Sequence, residues 1–436
     1  MRRFSSSAIV LALLLSTVVA WALYWPFGHT LISQAYNKQS FDFVNRLISN
    51  RTGDPLSYYL HRGDSLMIRA TLLLLAGVFL IVLAEQLWRR KLFASTLFSI
   101  CIVVASYEAS MLLFLKNPQM VELLPARLSQ HVRKAYISRY RDVVHASPGK
   151  YRYDPELTYT LAPGEYHFSG SEFKVHYKVN SLGLRDDRSS LDKPTVVVLG
   201  DSHAMGWAVE QDEIFSELLE QELAVKVLNA GIASYGTVRA LKLLERIDTS
   251  QVDLVILQHC DNDAKENLQY LKNGKLPTTP EEMYQEYVTD YQARRSYYPI
   301  KFLFFFLNEA IVSLSTELER TIFKSGGSES SLAQTSEQQA EAFLRVLAEL
   351  TPRRLLNTQF VVISMNGYAS SDKSFIDAVN HMKSSPKYPQ LVQSLHTVDL
   401  STVAQASHRY HLDDHINAVG HRAIAEKLIT ELKGFL

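Results

Sequence analysis

The sequence predicts an α/β protein, in which three N-terminal transmembrane helices precede a domain built on a parallel sheet. Two observations support this prediction. Before Pro118, three long apolar runs each have roughly the length of a bilayer-spanning helix. After Lys193, short apolar runs typical of buried strands alternate with segments of helical periodicity. Because helices connect successive strands, they cover both faces of the sheet, and the domain has three layers.

The three apolar runs cover residues 8–25, 70–88 and 92–115. Only three basic residues, 89–91, separate the second run from the third, so these two runs form a helical hairpin. A hairpin returns the chain to the side of the membrane on which it began. We therefore expect the loop 26–69 and everything after the third run to lie on the same side.

The first run is either a retained anchor or a cleaved signal peptide. Basic residues precede it and alanines flank Trp21, as in a signal peptide, whereas Trp21, Tyr24 and Trp25 suit an anchor that ends at the membrane interface. We favour the retained anchor. In both cases we expect the protein at the inner or plasma membrane, with its soluble domain extracytoplasmic and thus periplasmic.

The charge and the cysteines exclude several classes of function. The chain has 436 residues, with 45 Lys+Arg and 45 Asp+Glu. A chain without net charge does not attract a polyanion, so we exclude nucleic acid as a partner. The two cysteines, Cys101 and Cys260, lie in different predicted segments, and the sequence therefore predicts no disulfide and no cysteine-based metal site.

Residues 116–192 predict a linker and a small β element. Within them Phe173, Val175, Tyr177 and Val179 alternate with polar residues, as in a half-buried strand. The strands of the main domain are predicted at residues 195–199, 225–229, 252–258, 360–364 and 398–400.

A long insertion, residues 264–354, interrupts the main domain, which covers residues 193–436. The most apolar part of the insertion is residues 302–307. We expect this part to cover the site, to enter the membrane surface or to fill a local core. Residues 325–331 are rich in Gly and Ser, and they predict a mobile loop.

Polar residues follow the first three strands of the main domain. Ser202 follows the first, Gly231 the second and Asn262 the third, while Asp413 and His415 precede the last helix. The carboxyl ends of parallel strands meet at one edge of a sheet, so we expect these residues to converge. A serine becomes a nucleophile when an imidazole takes its proton and a carboxylate orients that imidazole. The pattern therefore predicts a serine hydrolase site.

Residues 193–432 resemble the SGNH branch of the GDSL hydrolases, apart from the insertion. The motifs that carry this resemblance, in the order of the family, are Gly200-Asp201-Ser202, Asn262-Asp263 and Asp413-Asp414-His415. The resemblance implies a three-layer, flavodoxin-like SGNH-hydrolase fold. It also implies that Ser202 attacks an ester carbonyl and that His415 is the base. The same resemblance assigns the oxyanion to the Ser202 amide, the Gly231 amide and the Asn262 side chain.

Three positions depart from the usual pattern of the family. Asp413 lies two residues before His415, whereas the family usually has its aspartate one residue earlier, where Leu412 stands here. The shorter spacing resembles that of exopolysaccharide acetyl-transfer proteins. His203 follows the serine, which resembles SGNH domains that act on carbohydrate acyl groups. Cys260 stands where a glycine is common.

We take Asp413 as the carboxylate that orients the histidine. Three neighbours of the triad are secondary candidates: Asp201, which is expected to hydrogen-bond within its turn, His203, which is expected to pack beside the site, and Asp414. We expect no cofactor and no metal, because His411 and His415 are four residues apart but lack a third ligand.

The sequence thus predicts a membrane-anchored serine ester hydrolase or O-acyltransferase that forms an acyl-serine and acts on acetyl groups of envelope glycans. The alternative substrate is a lipid ester. The expected partners are the membrane and other membrane proteins of envelope assembly. A non-catalytic scaffold subunit is the alternative from another class, which Leu412 and Cys260 favour. The presence of Ser202, Asn262 and His415 together favours the enzyme, because a scaffold needs none of them.

Overall fold

A computed structural model describes residues 6–37, 55–89, 92–276, 278–323, 335–367, 372–401, 403 and 405–435. The chain divides into two units. The helical unit comprises Met1–Leu113 and Tyr297–Ser330, and the sheet unit comprises Phe114–Ser296 and Ser331–Leu436. The α-helices are α1 Ser6–Leu23, α2 His29–Asn37, α3 Pro55–Arg89, α4 Phe93–Lys116, α5 Ala126–Arg139, α6 Ser202–Met205, α7 Phe215–Leu223, α8 Thr237–Leu244, α9 Asp263–Asn273, α10 Glu281–Arg295, α11 Lys301–Phe323, α12 Ser336–Leu350, α13 Asp372–Lys383, α14 Gln390–Gln393 and α15 Ala418–Leu432.

Two helices near the N-terminus are long and apolar enough to cross a membrane. Their apolar segments are Gly63–Trp88 in α3 and Phe93–Lys116 in α4. In α1 the apolar segment Val10–Leu23 is shorter than the roughly 17–25 residues that a spanning helix needs. The described residues thus contain two candidate spans, whereas the sequence predicted three. In addition, α3 begins at Pro55, so part of the predicted loop 26–69 is helical.

The apolar part of the insertion lies in α11, within the helical unit. Phe302 and Phe305 are buried, whereas Phe304 and Phe306 are exposed. One side of α11 is therefore buried and fills a local core, which is one of the three alternatives. The other side of α11 presents aromatic rings at the surface. The Gly/Ser-rich residues 325–331 lie outside the described residues.

Two antiparallel hairpins precede the central sheet. Their paired strands are β1 Tyr151–Asp154 with β2 Thr158–Leu161, and β3 Gly164–Ser169 with β4 Lys174–Val179. Alternate residues of β4, namely Val175, Tyr177 and Val179, are buried, which confirms the predicted half-buried strand. Both hairpins belong to the same compact unit as the central sheet.

Five parallel strands form the central sheet. They are β5 Val196–Gly200, β6 Val227–Gly231, β7 Leu254–His259, β8 Gln359–Ser364 and β9 His396–Val398. Each predicted strand is present, with its ends shifted by at most two residues. The order in the sheet is β6-β5-β7-β8-β9, which is the order of flavodoxin-like sheets. The carboxyl end of β5 therefore lies at the switch in strand order, where such sheets bind ligands.

Helices cover both faces of this sheet because successive residues of each strand face opposite ways. In β5, Val197 and Leu199 belong to the core that α8, α12 and α13 complete. Val196 and Val198 belong to the opposite core, which α7 and α15 complete. The sheet unit thus has the three layers that the sequence predicted.

Candidate active site

The turn between β5 and α6 carries Ser202. β5 ends at Gly200, where a Cβ would lie 2.3 Å from Gln258 Oε1, so glycine is needed for this close approach. Asp201 caps α6, because its Oδ1 accepts the His203 N–H at 2.9 Å. The expected hydrogen bond of Asp201 within the turn is therefore present. Ser202 is the first residue of α6, so its amide has no partner within the helix.

Ser202, His415 and Asp413 lie together beyond the carboxyl end of β5. Ser202 Oγ is 2.7 Å from His415 Nε2, and His415 Nδ1 is hydrogen-bonded to Asp413 Oδ1. Asp413 is fully buried, and its Oδ2 accepts the Trp207 indole N–H at 3.3 Å. Residues more than 200 positions apart in the chain thus form the alcohol–imidazole–carboxylate series that can activate a serine.

The second acidic residue, Asp414, lies at the outer side of the same histidine. Its Oδ1 is 3.3 Å from His415 Nδ1 and 2.6 Å from Arg141 Nη1. Its side chain is one-third exposed, whereas that of Asp413 is buried. Arg141 Nη1 also lies 3.3 Å from Asp413 Oδ1, so one guanidinium holds both carboxylates.

The two carboxylates set the protonation of His415. Burial alone would lower the pKa of His415, but the charges and hydrogen bonds of Asp413 and Asp414 outweigh it and raise that pKa to about 9. Burial would raise the pKa of Asp414, but its hydrogen bond to His415 and the charges of His415 and Arg141 hold that pKa well below its usual range. The resting site therefore favours a protonated imidazole beside an ionised Asp414.

Two donors stand beside the serine where an oxyanion could form. The Ser202 amide is one, as the first amide of α6. Asn262 is the other: its side chain is anchored by an Nδ2 bond of 3.3 Å to Asp201 Oδ2, and the residue is exposed to the cavity side of the site. A side-chain amide has two N–H groups, so one remains for a ligand.

Gly231 does not occupy the position that the sequence predicted for it. Its amide donates to Asn229 Oδ1 at 3.1 Å, and among the described residues it is absent from the lining of the cavity. A Cβ on Gly231 would lie 2.4 Å from the Met205 backbone nitrogen, so the glycine permits close packing of β6 against α6. Ser234 lines the cavity instead, with a left-handed φ of 63° that non-glycine residues seldom adopt.

The cavity at this edge of the sheet has a volume of about 150 Å³. Among its described lining residues, only Val143, Ala233 and Gly367 lack a polar or thiol group. A space of this size accommodates a molecule about as large as benzene. It is therefore a small and mostly polar pocket next to Ser202.

Two other predicted neighbours line the cavity. The ring of His203 lies 4.8 Å from that of His415, and burial lowers the pKa of His203 well below its usual value. A neutral ring packed beside the site is the role expected for it. Burial raises the pKa of the Cys260 thiol well above its usual value, so this cysteine remains protonated and is a poor nucleophile.

A metal has few suitable ligands here. Among the described residues, Asp413, Asp414 and His415 form the group whose ligand atoms lie within 4.8 Å of one another. Arg141 already binds both carboxylates, and a cation would have to displace its guanidinium. His411 is not in this group, and its Nδ1 bonds to Glu122 Oε1 at 2.7 Å.

Comparisons with known proteins add little to this geometry. No protein-family model and no curated protein matches the sequence. Among solved structures, a G-D-S-L family lipolytic protein from Desulfitobacterium hafniense is 13% identical, with 53% of this chain and 95% of that chain covered and a TM-score of 0.27. The lipase Lip_vut3 from a goat rumen metagenome is 16% identical, with 54% and 95% covered and a TM-score of 0.29.

A third similar structure is a carbohydrate esterase of family 2 with a carbohydrate-binding domain, from Corynascus thermopiles (Myceliophthora fergusii). It is 14% identical, with 56% of this chain and 66% of that chain covered and a TM-score of 0.30. Similarity at these TM-scores and identities does not assign a function. We therefore base the assignment of the site on its own contacts.

Sequence motifs did not reveal Arg141, Trp207 or Ser234. Arg141 precedes the first strand of the central sheet by more than 50 residues, and no spacing connects it with Asp413. Trp207 lies near the serine, but a tryptophan close to a motif is more often a core residue. The only sequence sign for Ser234 was its place in the loop after β6.

Proposed function

We propose that this protein is an SGNH-type serine ester hydrolase or O-acyltransferase that forms an acyl-serine on Ser202. The observation that carries the proposal is the contact series from Ser202 Oγ through the His415 ring to Asp413 Oδ1. A scaffold subunit has no need of a buried carboxylate aligned with a histidine and a serine. The catalytic alternative therefore explains these contacts better.

The first step of the proposed reaction is attack of Ser202 Oγ on the ester carbonyl. Neutral His415 accepts the serine proton at Nε2, and Asp413 stabilises the resulting imidazolium through Nδ1–H. The Ser202 amide and Asn262 Nδ2 donate to the oxyanion, and each such donor typically contributes about 3 kcal/mol to the transition state. We place the Ser234 amide in the role first predicted for Gly231, because Ser234 lines the cavity.

The second half of the reaction releases the acyl group. His415 gives its proton to the leaving alcohol oxygen, and the alcohol departs as the acyl-serine forms. Water or a sugar hydroxyl then loses a proton to His415 and attacks the acyl-serine carbonyl, the bond to Ser202 Oγ breaks, and His415 returns the proton to Ser202 Oγ. Hydrolysis and O-acyl transfer share every residue and differ in this acceptor.

The pH dependence of the reaction follows from His415. Only the neutral imidazole can accept the serine proton, and a pKa of about 9 leaves His415 mostly protonated at neutral pH. We therefore expect kcat/KM to rise with pH and to level off above about pH 9. The measurement is a pH–rate profile, with Ser202→Ala as the blank for hydroxide-driven hydrolysis. A profile already flat at pH 7 contradicts this prediction.

The size of the cavity favours a short acyl group. A space of about 150 Å³ with a mostly polar lining accepts an acetyl group, whereas a fatty acyl chain needs a long apolar groove. This supports acetylated glycans over lipid esters as the substrate class.

The apolar helices α3 and α4 support a membrane-anchored protein. We propose that they hold the sheet unit at the extracytoplasmic side of the inner or plasma membrane, where envelope glycans and membrane proteins of their assembly are within reach. Two spans joined by a short connection place the residues before α3 and those after α4 on the same side. The extracytoplasmic location therefore also requires that the first apolar run, residues 8–25, crosses the membrane or is removed as a signal peptide.

A series of p-nitrophenyl esters tests the proposed function. We expect the full-length protein in detergent to hydrolyse the acetate at least about 100-fold faster than the octanoate, in kcat/KM, because the mostly polar lining of the cavity offers the longer chain few apolar contacts. All esters of the series release the same p-nitrophenolate, so a difference in kcat/KM reports the acyl group alone. A preference for the octanoate would favour the lipid esterase. If the protein hydrolyses neither ester, the result favours the non-catalytic scaffold.

A further inference from the structure

The loop before the proposed catalytic histidine is bound by a carboxylate from a distant hairpin. Glu172 lies in the turn between β3 and β4. Its two oxygens accept three consecutive backbone N–H groups, those of His411 at 2.6 Å, Leu412 at 2.8 Å and Asp413 at 3.0 Å. Three amides that point at one anion form a strong, charge-assisted contact.

Two arginines from the same early part of the chain also bind this loop. Arg133 Nε donates to the His411 carbonyl at 2.8 Å, and Arg141 Nη1 binds Asp413 and Asp414. All these side chains belong to the sheet unit. The segment predicted as a linker thus supplies polar contacts to both the backbone and the side chains of the histidine loop.

The short spacing between Asp413 and His415 explains why the loop needs these contacts. Asp413 Oδ1 bonds to both the backbone N–H and the ring Nδ1 of His415, so its side chain must fold back over two residues. The loop can hold that geometry only if its amides find acceptors elsewhere. Glu172 provides acceptors for three of them at once.

We propose that Glu172 is a positioning residue, which fixes the histidine loop so that Asp413 meets the His415 ring and the ring meets Ser202. This inference rests on the proposed function for its catalytic consequence. It assigns an active-site role to the hairpin of β3 and β4, which contacts neither Ser202 nor the substrate cavity among the described residues.

The test compares Glu172→Gln with Glu220→Gln in the full-length protein. Glu220 Oε2 likewise accepts a backbone amide, that of Val227 at 2.7 Å, but at the start of β6. We expect Glu172→Gln to lower the limiting kcat/KM at high pH about 100-fold, because misplaced catalytic groups lose that much. We expect Glu220→Gln to leave it within twofold of the wild type.

The pH profile separates positioning from a general loss of folded protein. In Glu172→Gln the contact of Asp413 with His415 loosens, so the inflection should move from about 9 toward the ordinary value of a histidine. Fewer folded molecules would lower the plateau without moving the inflection. Glu172→Asp keeps the negative charge. We expect its inflection to lie close to that of the wild type and its kcat/KM to be at least about tenfold higher than that of Glu172→Gln.

The titration of the His415 ring, followed by NMR in the Ser202→Ala background, gives a readout that needs no turnover. A lower pKa of His415 in Glu172→Gln supports the positioning role of Glu172, even if the protein hydrolyses no ester. In that case the proposed function is wrong, but the positioning role stands. An unchanged pKa of His415, or equal losses in Glu172→Gln and Glu172→Asp, overturns the inference.

Discussion

Replacing Ser202 with alanine is expected to lower kcat for acetyl-ester hydrolysis by about 10⁶-fold, the loss typical when the nucleophile of such a triad is removed. The hydroxyl is the atom that attacks, and His415 has no other alcohol at 2.7 Å from its Nε2 among the described contacts. KM should change little, because the cavity keeps its shape. Steady-state kinetics of the purified variant measures both constants.

Ser216→Ala is the matched control for this substitution. Ser216 is a buried residue of α7, and its Oγ has no hydrogen-bond partner among the described residues. Its removal should therefore leave kcat within about twofold of the wild type. Equal activity of Ser202→Ala and the wild type would mean that the nucleophile lies elsewhere.

Replacing Asp413 with asparagine is expected to lower kcat by about 10⁴-fold, whereas Asp414→Asn should cost less than about tenfold. Asp413 is buried, bonds His415 Nδ1 directly and has a second partner in Trp207. An asparagine there would present an amide N–H or hold the ring in the wrong tautomer. Asp414 is partly exposed and bonds chiefly to Arg141.

The two aspartates also differ in the pH profile that their variants should give. Asp414 contributes to the raised pKa of His415, so Asp414→Asn should lower the inflection of kcat/KM while leaving the plateau close to that of the wild type. Asp413→Asn should lower the plateau itself. Losses of the same size in both variants would contradict the assignment of Asp413 as the orienting carboxylate.

The central sheet could be predicted well because its strands carry strong local signals. Strands β5, β7 and β8 each contain four consecutive apolar residues, and such runs are typical of the buried strands of parallel sheets. The positions of Ser202 and Asn262 followed, since each comes directly after a strand. Asp413 and His415 were placed by their motif before the last helix.

The membrane segments and Gly231 were predicted less well. Composition alone cannot fix the ends of a helix, and α3 continues through polar residues that hydropathy assigns to a loop. The resemblance to the family assigned an oxyanion donor to the Gly231 amide, but this amide bonds to Asn229 instead. Which residue of a loop faces a cavity depends on its backbone angles, and the positive φ of Ser234 leaves no mark in the sequence.

Arg141 and Glu172 could not be predicted, because their importance arises from contacts across 239 or more residues. Neither lies in a motif. An isolated charged residue in an early segment is usually solvated, and only the folded loop 411–415 shows what these two bind.

Reaction with a fluorophosphonate, followed by peptide mass spectrometry, tests the central claim most directly. The reagent modifies a serine that a neighbouring base activates. We predict that the phosphonyl group is found on Ser202, that the modification is absent in Ser202→Ala, and that His415→Ala slows it by at least about 10³-fold. A wild-type protein whose Ser202 stays unmodified, or a His415→Ala variant that reacts as fast as the wild type, would contradict the account.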